Sequence, residues 1–361
     1  MQRPPAEMGA INQPTRPQET APPVAQRRTI QGHEVPDLRT TVSVACIIFA
    51  CCALHSLIRA PVPAVGEPHY LGKAKFWWDS DWCARDFFLQ SSNPHLVFYA
   101  TVGWLTRLLS LEATAYVGRA IGLLVLAWGW ARCGIRITGR GSTAILSAAA
   151  FCLLSAIGNF SGEWVIGGIE GKVFSYGLLL WSAALLLEHR PRPAAALAGG
   201  AISHPVVGIW YVVSVGFALL CRQLRSAAGS AVNVTPLQCH EVPLPDAADV
   251  STTVTTRTRG SIVPPTRKDW LASVVLFLLG ALPGLIPALM LVLGGDPELG
   301  RRADRILIEH RLGHHLDPLL FPRFAYQHYA GLLLGSIVLS IILAKHAGVR
   351  AARRAVVGAG C

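Results

Sequence analysis

Charge is what this sequence has least of. Only 15% of its 361 residues are Asp, Glu, Lys or Arg, while 52% are hydrophobic. A soluble domain of this length carries roughly a quarter charged residues, so an ordinary water-soluble globule is excluded. The shortage also comes in blocks. Long runs without Asp, Glu, Lys or Arg alternate with short, mostly basic stretches. Crossing the hydrocarbon core of a bilayer takes about 20 apolar residues in a helix, and several runs reach or approach that length. Paired cysteine motifs are missing too. Nine cysteines are present without one CxxC spacing, which leaves a zinc or redox site without support. Cys46, Cys51 and Cys52 sit in the first apolar run, and Cys133, Cys152 and Cys221 in or beside others, the usual place of inert packing thiols. No internal repeat is visible, which a transporter built from two related halves would show. No nucleic-acid-binding module accompanies the net charge of +11. That charge reads instead as the Lys and Arg excess of cytoplasmic loops, with no nucleic-acid partner.

What remains predicts an all-α fold: a polytopic transmembrane helical bundle of about seven or eight membrane segments plus an interfacial amphipathic helix. Residues 1–38 are rich in Pro, Gln, Arg and Glu and read as a disordered cytoplasmic tail. The first span is expected at 41–58, with Arg27, Arg28 and Arg39 keeping the N-terminus inside. An outer loop, 59–112, follows. Within it 94–111 is apolar but interrupted by Arg107. Laying this stretch flat on the membrane puts Arg132, Arg136 and Arg140, after the span at 113–131, on the cytoplasmic side. Spans at 142–158 and 173–188 then flank an outer loop, 159–172, and return to Arg190 and Arg192. Residues 194–221 read as two short helices broken at Ser203-His204-Pro205, because proline removes a helix donor and disfavours helix at the residue before it. The transmembrane core is thus 39–221, followed by a flexible cytoplasmic insertion at 222–268. A C-terminal transmembrane pair occupies 269–361, with spans at 271–293 and 328–345 around an outer loop, 294–327. Both termini fall inside a multi-pass cell membrane (plasma or inner). Arg301, Arg302, Arg305 and Arg311 are the exception, lying in the second outer loop.

Four places could carry chemistry. Asp79, Asp81 and Asp86 lie among Phe76, Trp77, Trp78, Trp82, Phe87 and Phe88. Such carboxylates can bind a divalent cation (Mg or Mn) or act as a general base, with the aromatics stacking on a sugar ring. They can equally be solvated acids in an interfacial aromatic belt. Glu163 and Glu170 sit in the glycine-rich loop before Lys172, where Glu170 can simply cap the next helix. His204 stands at the helix break, either as a functional polar group at membrane depth or as a ring bonding a freed carbonyl. His310, His314, His315 and Asp317 could ligate a metal, although the spacing matches no helical metal motif.

The order of these parts over roughly residues 40–225 resembles the GT-C superfamily of membrane glycosyltransferases. The first span leads to an outer loop bearing Asp79, Asp81 and Asp86. An interfacial helix opens at Pro94, and a second span ends in arginines. Glu170 precedes a span containing Tyr176, and a broken hairpin follows at Ser203-His204-Pro205. The resemblance implies transfer of a sugar from a polyprenyl-phosphate carrier on the outer face to an unknown acceptor. It gives the role of general base or metal ligand to Asp81 first, then Asp86 or Asp79. It gives donor or carrier-phosphate binding to Lys172, Arg301 and Arg302, with Glu170 and His204 beside them. The chain departs from several such families in that Ser80 separates Asp79 from Asp81, and it has fewer spans than most members, as a divergent, shortened version would. The competing expectations are a non-catalytic polytopic membrane protein and a transporter with a midplane site at the broken helix.

Overall fold

Local capping fixes where two of the long helices begin. In a computed structural model of the chain, the residues described are 37–64, 66–91, 95–157, 165–231, 267–294, 296–311, 318–324, 326–335, 337–338 and 341–342. All belong to one unit, Val35–Cys361. Helix α1 (Leu38–Arg59) opens at Asp37, whose carboxylate accepts the Thr40 N–H at 3.2 Å. This satisfies one of the orphan donors of its first turn. Helix α5 (Leu111–Thr138) is fixed at both ends. Ser110 Oγ accepts the Ala113 N–H at 3.1 Å, and Gly139, at φ 73°, closes the last turn with an N–H bond of 2.7 Å to Ile135 O. A left-handed closing residue favours glycine because no Cβ meets the carbonyl. Helices α6 (Gly141–Ile157) and α7 (Gly171–Leu187) follow. Then come α8 (Pro191–Gly200) and α9 (Pro205–Ala231), joined through a 3₁₀ turn at Ala201–Ser203. Helix α10 (Arg267–Leu293) runs through Pro283 and Pro287 without ending, and α11 (Pro297–Ile306) succeeds it.

Between α1 and α5 lies a layer of short helices: α2 (Glu67–Trp78), α3 (Phe87–Gln90), α4 (Leu96–Ala100) and a 3₁₀ turn at Val102–Arg107. The stretch around 94–111 is therefore two short pieces with a break at Thr101, not one helix. Its apolar side chains pack inward. Phe98, Tyr99 and Val102 meet Leu71 and Ala74 of α2, Ala115 of α5, and Ile169. A second, larger core joins α1, α5, α6 and α7 around Ile48, Leu126, Ala131, Ala144 and Val173.

Contacts give the bundle two distinguishable ends. Arg59, at the end of α1, donates to Ala156 O near the end of α6 at 3.1 Å, and Ser56 donates to Gly167 O at 2.6 Å, ahead of α7. This end carries α2–α4 and is called the loop end. At the other end Gly141 lies against Val44, and Arg132 of α5 pairs with Glu188 just past α7. Arg136, Arg140, Arg190 and Arg192 lie here as well, so this is the arginine end. Helix α8 climbs from it: Ser182 Oγ bonds Ala194 O and Ser175 Oγ bonds Ala201 O, both at 2.8 Å. Helix α9 descends again, its Tyr211 hydroxyl reaching Ser182 Oγ at 3.2 Å. Helix α10 starts at the arginine end, where Arg192 pairs with Asp269, and rises past Ile202.

Small residues allow these crossings. A Cβ on Gly129 would strike the backbone of Gly177, and one on Gly199 or Gly284 would strike the backbone of Phe277 or Ile202. Close backbone approach through glycine is how helices gain contact where lipid removes the hydrophobic drive between them.

All regular structure among the described residues is helical. Three of the described helices are long and apolar enough to cross a membrane: α1, α5 and α10. Apolar stretches in α6, α7 and the first part of α9 are shorter, at 10–17 residues. On this measure the seven or eight membrane segments expected from the sequence are not reached. Residues 326–335 are helical and exposed within the expected span at 328–345. Residues 1–36 and 232–266, and with them most of the expected tail and insertion, lie outside the described residues.

Candidate functional site

The loop end gathers the buried charges. Glu67 opens α2 and Arg119 sits in the third turn of α5, and they are 1% and 5% exposed. They form a two-pronged pair: Arg119 Nε to Glu67 Oε1 at 2.6 Å and Nη2 to Oε2 at 2.7 Å. Neighbouring groups add further bonds. Glu67 Oε2 accepts the Ala64 N–H at 2.7 Å, and Oε1 accepts the Ile169 N–H at 2.8 Å. Arg119 Nη1 donates to Ala60 O at 2.5 Å and to Ser56 Oγ at 3.4 Å. One ion pair thereby ties the end of α1, the start of α2, α5 and the approach to α7. Burial pushes the Glu67 carboxyl up, but Arg119 and the two backbone N–H groups outweigh it and hold it below the ordinary carboxylate value.

Directly beyond this node is a second polar group. Glu170 and Lys172 flank the first residue of α7 and pair at 3.0 Å. The Glu170 carboxylate presses on Gly66, leaving no room there for a side chain. His204 reaches the same place from the α8–α9 break. Its Cδ2 lies 3.9 Å from where a Cβ on Gly171 would sit, with Phe98 Cβ at 4.0 Å. The His204 ring stacks on His95 with centroids 5.3 Å apart, and the Tyr70 hydroxyl is 3.3 Å from His95 Nε2. Burial first, then the neighbouring His204 and Lys73, lowers the His95 pKa to about 4, so the ring is neutral at pH 7. Lys73 is buried in α2, donates to Ser91 O and Oγ at 2.8 and 2.7 Å, and lies 4.7 Å over the Phe88 ring. Burial lowers its pKa as well. Burial also raises that of the Tyr99 phenol, whose oxygen has no hydrogen-bond partner among the described residues.

The expected residues thus separate into three groups. Glu170, Lys172 and His204 come together from two helix starts. Asp79, Asp81 and Asp86 lie on the same loop-end layer but are all exposed. Asp86 Oδ1 caps α3 through the Leu89 N–H at 3.1 Å, and Asp79 terminates α2. Their aromatic neighbours divide. Trp78 is anchored by its Nε1–H to Tyr99 O at 2.8 Å, whereas Trp77 and Phe87 face outward. Arg301 and Arg302 are exposed on α11, where Arg301 pairs with Glu298 at 2.6 Å. His310 is exposed, while Glu163, His314, His315 and Asp317 lie outside the described residues. Among the described residues no group of three or more His, Cys, Asp or Glu is placed to hold a metal ion. The seven cysteines described are free thiols.

Sequence reasoning missed Glu67, Arg119, His95 and Tyr70. Arg119 carried a usable signal, being a charge inside the otherwise apolar run 113–131, where an ionisable residue is by default significant. Glu67 and His95 carried none, since only folding brings them to Arg119 and His204. Compared with known proteins, the chain matches no family model, no curated protein and no solved structure.

Proposed function

We propose that this chain is a multi-pass membrane glycosyltransferase of GT-C type, working at the loop end on a polyprenyl-phosphate-linked sugar. One observation carries the reading. The α8–α9 break, the start of α7 and the α2–α4 layer converge at a single end of the bundle, bringing Glu170, Lys172, His204 and His95 together beside the exposed acid loop. The arginine end supplies the orientation. Arg132, Arg136, Arg140, Arg190 and Arg192 cluster there, so it faces the cytoplasm and the loop end faces out. Shorter helices such as α6 and α7 complete the membrane segments, bringing the count towards the expected seven or eight, with both termini inside.

In this reading Lys172 and His204 hold the carrier phosphate, Lys172 as a point charge and His204 as a directional donor. Glu170 keeps Lys172 in place. Asp81, or Asp86 or Asp79 beside it, deprotonates the acceptor, a role that suits a solvent-exposed carboxylate. A divalent cation would be held by Asp79 and Asp81 and would stabilise charge on the departing phosphate. The transporter reading fares worse, because the helix break is level with the first turn of α7 rather than its middle.

The test has two steps. In a background lacking the other cysteines, a membrane-impermeant maleimide is applied to intact cells, with Cys239 as the opposite-side control. The reading requires Cys83 to label and Cys239 not to label. The purified protein is then given a panel of polyprenyl-phosphate hexoses. Consumption of a donor that is lost in Asp81→Asn, while polyprenyl phosphate still raises the melting temperature, supports the assignment. Labelling of Cys239 alone would invert the orientation and overturn the reading.

A further inference from the structure

Helix α11 is strongly one-sided, and none of the described residues covers its apolar face. It packs on the π-helical turn Leu307–Arg311, and none of its residues is buried. At 100° per residue Leu299, Ala303 and Ile306 share one face, with Arg302 at its border. Glu298, Arg301, Asp304 and Arg305 occupy the opposite side. Leu299 and Ile306 are 66% and 47% exposed, and Ile308 in the following turn is exposed as well. In water such a face has no partner.

Its tether says what the partner is. α10 is apolar enough to cross a bilayer and ends at Leu293, and α11 begins at Pro297. Four residues reach at most about 14 Å, so α11 starts at the membrane surface if α10 spans. A one-sided helix at that depth lies in the interface with its apolar side among the acyl chains and its cations at the headgroups. The charge is complementary to one kind of surface. Three arginines in ten residues outnumber Glu298 and Asp304, and Arg302 at the border can bury its stem while its guanidinium reaches phosphate.

We infer that α11 is an interfacial helix that docks on anionic lipid at the loop-end surface of the bilayer. Leu299, Ala303 and Ile306 insert, and Arg302 and Arg305 contact headgroup phosphates. This rests on the membrane reading of α10 and gives Arg301 and Arg302 a surface role in place of the carrier-phosphate site. It also accounts for basic residues on the outer side, where the positive-inside rule does not expect them.

The experiment uses the full chain with its cysteines replaced, reconstituted in nanodiscs containing brominated lipid. Single cysteines replace Leu299, Ile306, Asp304 and, as a control within α10, Leu289, and each carries an environment-sensitive fluorophore. Expected is strong quenching at 289, and quenching at 299 and 306 about twofold or more above that at 304, as insertion by one face requires. Phosphatidylglycerol should deepen the signals at 299 and 306, and Arg302→Gln with Arg305→Gln should abolish that gain. Equal quenching at 299, 304 and 306 beside a strong control overturns the docking. Indifference to phosphatidylglycerol and to the Gln pair overturns the anionic partner. A control at 289 that is not quenched overturns the membrane reading of α10 and this inference with it.

Discussion

The two ends of the bundle treat charge differently. At the loop end Arg119 and Glu67 are withdrawn from solvent and bonded to each other and to neighbouring groups. At the arginine end the Arg132–Glu188 pair is 16% and 0% exposed, and the Arg192–Asp269 pair is 53% and 32% exposed. Ion pairs of the same chemistry therefore range from sealed to open, and the open one lies at the arginine end. A sealed pair adds little against an apolar substitute, yet removing one partner is severe, because the other charge is stranded. An open pair can be broken with little consequence. The loop end is thus built to hold its geometry, whereas the arginine end keeps its outermost pair, Arg192–Asp269, in solvent.

The sharpest way to break this contrast is Arg119→Ala. It should remove about 3–5 kcal/mol from the folded state, read as a fall in the unfolding midpoint in detergent. Replacing both partners by Leu should recover much of the loss. A midpoint unchanged by Arg119→Ala would sink the idea that the node secures the loop end. Next in size is Arg132→Ala. It strands the enclosed Glu188 carboxylate without its two charged hydrogen bonds, and should lower stability by about 1.5–3 kcal/mol.

A pH titration separates the ends differently. His95 has a folded pKa of about 4, below its ordinary value of 6.5. Its contribution is complete above pH 6.5 and is lost as pH falls from there towards 4, because the unfolded ring takes the proton more readily. Glu67 is also held below its ordinary value, and its contribution fades at still lower pH. Hydrogen exchange should therefore show α2 and α4 opening first on acidification, with α8 still protected. His95→Phe should flatten the stability slope between pH 4 and 6.5; an unaltered slope would mean the ring is not what titrates there. The smallest change is Arg192→Gln, expected within about 1 kcal/mol of the parent and shrinking in high salt. A larger loss would show that the arginine end is not as open as its exposure implies.

Much of the helical layout was legible because apolar runs and their breakers act locally. The run 41–58 became Leu38–Arg59, 113–131 became Leu111–Thr138, and Pro205 split its helix where proline chemistry says it must. Residues 94–111 were harder. Their composition suits a helix, but Thr101 turns the chain so that Phe98 and Val102 can both reach α2. The candidate site was legible in part. Glu170, Lys172 and His204 stood out as polar groups at helix starts and breaks, whereas Glu67 and His95 looked like any loop residues. Asp79, Asp81 and Asp86 stood out most, and the fold leaves all three exposed on the loop-end layer.

What the sequence by itself determined is the helical class, the order of the apolar segments, the break at His204 and the clustering of arginines between particular helices. Each follows from composition or from one residue's backbone chemistry, within a reach of a few residues. What only the tertiary structure decided is the Glu67–Arg119 pair across 52 positions, the His95–His204 stack and the exposed placement of α11. Those depend on which helix faces meet, and helix crossings are set by where glycine and alanine let two backbones approach, a property of pairs of distant segments that neither segment carries alone.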